Sequence, residues 1–146
     1  MCLIERWGLT HDLFNRAKSD YPSLQYIKNH STQKTHRVMV INLQGIFSHQ
    51  DPREIMYKLV IDARDFPQMP KAYVYAPEDD EIEHSNIYRA RWKSLFHHRP
   101  LSELCLGDSY PAVYNSHLPS LRFGAWLYQV HCVLNNPNPD SAARPV

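Results

Sequence analysis

Cys105 sits in Leu104-Cys105-Leu106-Gly107-Asp108, where aliphatic neighbours give way at once to a turn signal. A thiol at such a junction is expected on the rim of a loop rather than inside a packed element, which leaves the sulfur accessible as a nucleophile. The other two cysteines read differently. Cys132 falls within an apolar helical run, where burial favours the neutral thiol and an inert core role, and Cys2 stands near a terminus as a bystander. A sulfur nucleophile suits acyl transfer. A thioester forms without a strong base, and its aminolysis gains from an amide donor at the developing oxyanion and from a neighbour that desolvates or deprotonates the amine. A hydrolase would instead need a base beside the thiol; His117 and His131 qualify by type, without a recognisable orienting partner.

Nine histidines invite a metal reading. His97 and His98 are adjacent and would point apart in a strand, and no pair has the spacing of a zinc site, so no metal is expected. Gly45 and Gly107 stand alone and build no phosphate-binding loop, which leaves ATP chemistry to a partner. No organic cofactor is implied.

The elements that must position Cys105 follow from periodicity. Ile4, Trp7, Phe14 and Ala17 recur at helical intervals over Ile4 to Lys18, with Thr10 as an alternative start, and Tyr21-Pro22 ends the helix. Ser23 to Asn29, Arg37 to Leu43, Ile55 to Ala63 and Lys71 to Tyr75 read as four strands of an antiparallel meander, after which the sheet is expected to end. Ala76 to Ser116 has no clean period and reads as a long structured excursion carrying function, with acidic residues at Asp79, Asp80, Glu81 and Glu83. Pro119-Ser120 then opens a run from Leu121 to Leu134 with so little polar surface that a helix buried on most sides is expected. Asn135 to Pro139 stops it, and Asp140 to Val146 is small, polar or proline.

A chain of 146 residues, 43% hydrophobic, fits one α+β domain over 1–146. Sixteen Lys and Arg against 15 Asp and Glu leave no field to hold a nucleic-acid backbone or an anionic membrane, so neither partner is expected. The odd cysteine count, the lack of a secretory signal at the start and the absence of any apolar run near the roughly 20 residues of a bilayer span imply a soluble, cytoplasmic protein.

The order His84-Ser85-Asn86-Ile87, then Leu104-Cys105-Leu106, then Asn136-Pro137-Asn138-Pro139-Asp140 beyond a helix resembles the ubiquitin-conjugating (UBC-like) family over nearly the whole chain. There a His-Pro-Asn tripeptide precedes an Ile-Cys-Leu segment, and an Asp-Pro-Asn-Pro-Asp type loop closes the site. The resemblance implies a UBC-like fold, with an N-terminal helix, a four-stranded antiparallel meander, an active-site loop segment and a buried C-terminal helix. It implies that Cys105 carries a protein C-terminus as a thioester, received from an activating enzyme, and passes it to an amine. By the same resemblance Asn86 supports the oxyanion or braces the neighbouring loop, Ser141 stands at a gate that orients the incoming lysine, and His84 serves the architecture of its turn. Departures are plain. Ser85 replaces the proline, Asn86 and Cys105 are 19 positions apart, far more than in the family, so that Arg91 to Leu101 looks inserted, and the family's further C-terminal helices are missing. Such a shortened domain looks more like the prokaryotic ubiquitin-conjugating-like proteins, some of which occur in antiphage operons of the CBASS type and act on a cyclic-oligonucleotide synthase. The alternative is a catalytically inactive docking module of the same fold.

Overall fold

The computed structural model describes residues 8–32, 34–90, 100–138 and 142–144. In chain order these form β1 (Leu9–Thr10), α1 (His11–Asp20), β2 (Gln25–Tyr26), β3 (Thr35–His36), β4 (Val38–Ile46), β5 (Glu54–Asp62), β6 (Lys71–Ala76), β7 (Ser102–Glu103), α2 (Tyr110–Ser116) and α3 (Pro119–Asn135), with 3-10 turns at Lys28–His30 and Asp79–Glu81. The class is α+β, as expected. Thr10 is the N-cap of α1, its hydroxyl oxygen accepting from the Leu13 N–H at 3.3 Å. The helix expected from Ile4 therefore starts at His11, with Ile4 and Trp7 outside the described residues.

The main sheet has five antiparallel strands in the order β2-β4-β5-β6-β7, and β1 pairs with β3 in a separate two-residue ladder. The four-strand expectation is thus corrected at both ends. Only Gln25 and Tyr26 of the stretch Ser23 to Asn29 pair with β4, because the chain turns into the 3-10 segment at Lys28. Past β6, Ser102 and Glu103 return to add a fifth strand that is too short to show a period of its own. Pro70 and Pro77 border β6, and cis peptides lie at Phe66-Pro67 and Ala76-Pro77.

Alternation along the β4–β5 hairpin sends Met39, Ile41, Leu43, Tyr57, Leu59 and Ile61 toward the helices. There they meet Phe14 of α1 and Phe123, Trp126, Val130 and Leu134 of α3 in one core. The opposite face buries a smaller cluster of Val38, Val60 and Leu101. Only one side of α3 is covered: Leu121 and Tyr128 are 53% and 66% exposed, so the expectation of a helix buried on most sides does not hold. Among the described residues no layer lies outside α3, and its outward stripe carries exposed apolar side chains. Cys132 lies on the edge of that stripe, half-buried one turn from the exposed Tyr128, which corrects the core role expected for it. Among the described residues no helix is long and apolar enough to cross a membrane.

Two glycines show how tightly the sheet holds α3. A Cβ on Gly45 would lie 2.8 Å from both the Cβ and the carbonyl oxygen of Leu134 and 2.9 Å from the Tyr57 ring, whereas one on Gly124 would meet nothing within 4 Å. The same substitution should therefore have opposite signs. Gly45→Ala is expected to cost about 1–3 kcal/mol through overpacking, and Gly124→Ala to stabilise by about 0.5–1 kcal/mol through helix propensity. Urea unfolding of both variants checks this, and equal signs would refute the close-approach argument.

Candidate functional site

The excursion closes on itself. Segment 86–88 runs antiparallel to 103–105: the Cys105 N–H donates to the Asn86 carbonyl at 2.7 Å, the Tyr88 N–H donates to the Glu103 carbonyl at 2.8 Å, and Ile87 bridges Leu104. The Leu104 N–H donates to the Ala72 carbonyl at 2.9 Å, which fixes this pair to the edge of β6. Strand alternation then separates two sets of side chains. Ile87 and Leu104 enter the core, while Asn86, Tyr88, Glu103 and Cys105 share the other face. So 19 positions of sequence separation leave Cys105 directly opposite Asn86. Beyond Cys105 the chain reverses at Gly107, whose φ of 99° favours glycine, and enters α2. Cys105 is half-buried at that turn, as its neighbours implied.

Asn86 is fully buried, and both ends of its amide are engaged by one residue. Its Nδ2 donates to the Asn138 carbonyl at 3.0 Å and its Oδ1 accepts from the Asn138 N–H at 2.6 Å. Of the two expected roles, this geometry builds the brace: Asn86 holds the loop after α3 against the thiol's strand. His84 is also fully buried. Its Nε2 lies 3.1 and 3.2 Å from the carbonyl oxygens of Val133 and Leu134, and its Nδ1 accepts from the Asn86 N–H at 3.2 Å. Those carbonyls end α3 and have no intrahelical partner, so the ring caps the helix and must carry its proton on Nε2. Burial, only partly offset by the two carbonyls, lowers its pKa and keeps it neutral. His84 thus clasps its turn to the end of α3.

Two residues of the site had drawn no attention in the sequence. The Tyr88 phenol lies beside the Cys105 thiol. Interaction with Cys105, then burial and the carboxylates of Asp108 and Glu103, raise the phenol's pKa, so Tyr88 keeps its proton. The other is Arg144, 6% exposed. Its guanidinium donates to the carbonyls of Ile87 at 2.6 Å, Ile82 at 3.1 Å and Tyr88 at 3.3 Å, and its Nη2 pairs with Asp79 Oδ1 at 2.5 Å. The same Asp79 oxygen accepts from Ser102 Oγ at 2.7 Å and from the Ala90 N–H at 2.9 Å. Burial pushes the Asp79 carboxyl up, but the bonds from Ser102, Ala90 and Arg144 outweigh it and hold the pKa below its ordinary value. The backbone N–H groups of Ala143 and Arg144 both donate to the Ser85 carbonyl, at 2.5 and 2.9 Å. The chain after α3 is therefore tied back onto the turn that carries Asn86.

Ser141 and residues 91–99 of the inserted stretch lie outside the described residues, as do Cys2, Pro139 and Asp140. Leu101, at the end of that stretch, is buried on the far face of the sheet. His117 caps the end of α2, and the His131 ring stands edge-on to Tyr21 at 6.2 Å. Compared with models of known families, with curated proteins and with solved structures, the chain matches none of them.

Proposed function

We propose that the chain is a ubiquitin-conjugating-like enzyme that carries a protein C-terminus as a thioester on Cys105 and transfers it to an amine. The observation that supports this best is the setting of the thiol. Cys105 is half-buried at a turn, paired through its main chain with Asn86, with the Tyr88 phenol beside it. In the loading step the Cys105 thiolate attacks the carbonyl carbon of an incoming thioester, and the donor's sulfur leaves as a thiolate. In transfer, an amine adds to the Cys105 thioester, the tetrahedral oxyanion collapses, and Cys105 leaves as the thiolate while the amine's proton passes to solvent. Tyr88 can donate to the departing sulfur in this second step. Asn86 and Arg144 hold the two flanking loops in place, and His84 fixes the turn between them. The acceptor implied by the family resemblance is a lysine or α-amine, with a cyclic-oligonucleotide synthase of an antiphage operon as the target in the cytoplasm.

Non-reducing electrophoresis with mass spectrometry of the protein co-expressed with its genomic neighbours tests the reading. A thiol-sensitive adduct is expected on the wild type, absent from Cys105→Ala and converted into a thiol-resistant ester on Cys105→Ser. An adduct that survives in Cys105→Ala, or none on any form while the protein still binds its neighbours, would replace the enzyme by the docking module.

A further inference from the structure

The stretch from Lys28 to Arg37 reads Lys-Asn-His-Ser-Thr-Gln-Lys-Thr-His-Arg, three permanent cations and two histidines without a carboxylate, in a chain whose net charge is only +1. Folding brings another histidine to it. His11, at the start of α1, lies with Nδ1 3.1 Å from Nε2 of His36. The ring centres are 5.4 Å apart, about the nitrogen separation plus a ring radius at each end. The two nitrogens therefore meet nearly head-on, as in a straight N–H···N bond. One proton joins such a pair, and a second would set N–H against N–H. Among the described residues Nδ1 of His36 is buried without a hydrogen-bond partner, and a buried N–H lacking an acceptor is costlier to leave than a lone pair. The shared proton thus belongs to Nε2 of His36, which donates to His11. Burial, then the His11 ring, lowers the basicity of His36.

This pair walls an open cavity of about 500 Å³ lined by His11, Tyr26, Lys28, Ser31, Thr32 and His36. None of the six is acidic. The Ser31 hydroxyl donates to the Ile27 carbonyl, and the Thr32 hydroxyl is engaged with Thr35, so these two shape the wall. Tyr26 stacks on the His36 ring at 4.3 Å between centres. Lys28, the exposed His11 ring and the Tyr26 hydroxyl remain to meet a ligand, and all three can donate hydrogen bonds.

We propose that this cavity binds the phosphate group of a small molecule, held by Lys28 and by an imidazolium that the His11–His36 pair forms as it takes up one proton from solvent. The anion supplies the counter-charge that makes a second proton tolerable, and the head-on bond gives way so that His11 donates to the ligand. This site is separate from the Cys105 chemistry and does not depend on it.

Amide chemical shifts recorded during titration with sulfate test the proposal, because sulfate keeps its charge over the range in which histidine titrates. Chloride at matched ionic strength removes general screening. Saturable shifts are expected at residues 11, 26–32 and 36, with affinity about tenfold higher near pH 6 than near pH 8. Lys28→Ala should weaken binding about tenfold at either pH. His11→Gln, whose side-chain oxygen can still accept from His36, should leave the fold intact and abolish the pH dependence. Inorganic phosphate and a nucleoside monophosphate, compared in the same way, tell a free ion from an ester by which binds more tightly. Shifts scattered over other surface lysines, equal shifts with chloride, or sulfate affinity independent of pH would overturn the site.

Discussion

Arg144→Met is expected to cost about 2–4 kcal/mol of folding stability, less than for a fully buried ion pair because the Asp79 side chain is 33% exposed, and to lower the melting temperature by roughly 10 °C. Methionine preserves the volume and loses the donors. Asp79 would be left with its charge but without its cation, and the carbonyls of Ile82, Ile87 and Tyr88 would lose a shared partner. The surface pair Arg53–Asp51 is the control, because its side chains are 63% and 51% exposed. Arg53→Ala should change stability by less than about 1 kcal/mol. Thermal unfolding followed by circular dichroism compares the two, and similar shifts would mean that Arg144 is not the strut described above. Hydrogen exchange adds a local reading, with protection expected to fall at 82–90 before the β4–β5 hairpin. The sign with pH is set by Asp79. Its folded pKa lies below its unfolded one, so its contribution is complete above about pH 3.9 and is lost as pH falls through the folded value.

Arg144 also shows where sequence reading stops. The hairpin strands and both long helices were legible because each repeats a side-chain period over at least nine residues, and burial follows that period in Val38–Ile46 and in α3. Nothing comparable marks the tail. Arg144 binds backbone carbonyls 56 to 62 positions away, and any residue type presents a carbonyl. For the same reason β7 was missed, its two residues being placed by pairing with β6 rather than by a pattern. Helix α2 did leave a trace, in Ser109 followed by Pro111, a helix-start signal within a stretch read only as an excursion. The place of Cys105 at a turn was legible through Gly107, and Asn86 drew attention through the order of the motifs around it, although its distance from Cys105 in sequence argued the other way. Tyr88 was not, because its importance comes from the register that sets 86–88 against 103–105. Cys132 was misjudged because periodicity places a residue on a helix face without saying whether another layer covers it.

Asn86→Ala should combine a structural and a kinetic loss. The truncation leaves the N–H and the carbonyl of Asn138 without the partners they have at 2.6 and 3.0 Å, which at about 1–3 kcal/mol for each unsatisfied group suggests a loss of about 2–4 kcal/mol after partial hydration. The chain after α3 would still be tied by the backbone bonds from Ala143 and Arg144 to the Ser85 carbonyl and by the Arg144 guanidinium. On the thioester reading, discharge to an amine should fall about a hundredfold, comparable to losing an oxyanion-hole donor. The two expected roles of this asparagine leave different fingerprints. A brace acts on every step that needs the loop, so loading and discharge should both slow, the melting temperature should drop, and amide exchange at Asn138 should rise. A direct oxyanion donor acts on charge that develops only in the tetrahedral intermediates, so rates would fall with melting and exchange unchanged. Because both ends of the Asn86 amide are bound to a single residue of the loop, the first pattern is expected, and slowed transfer with an intact melting temperature would assign the asparagine to the reacting oxygen instead.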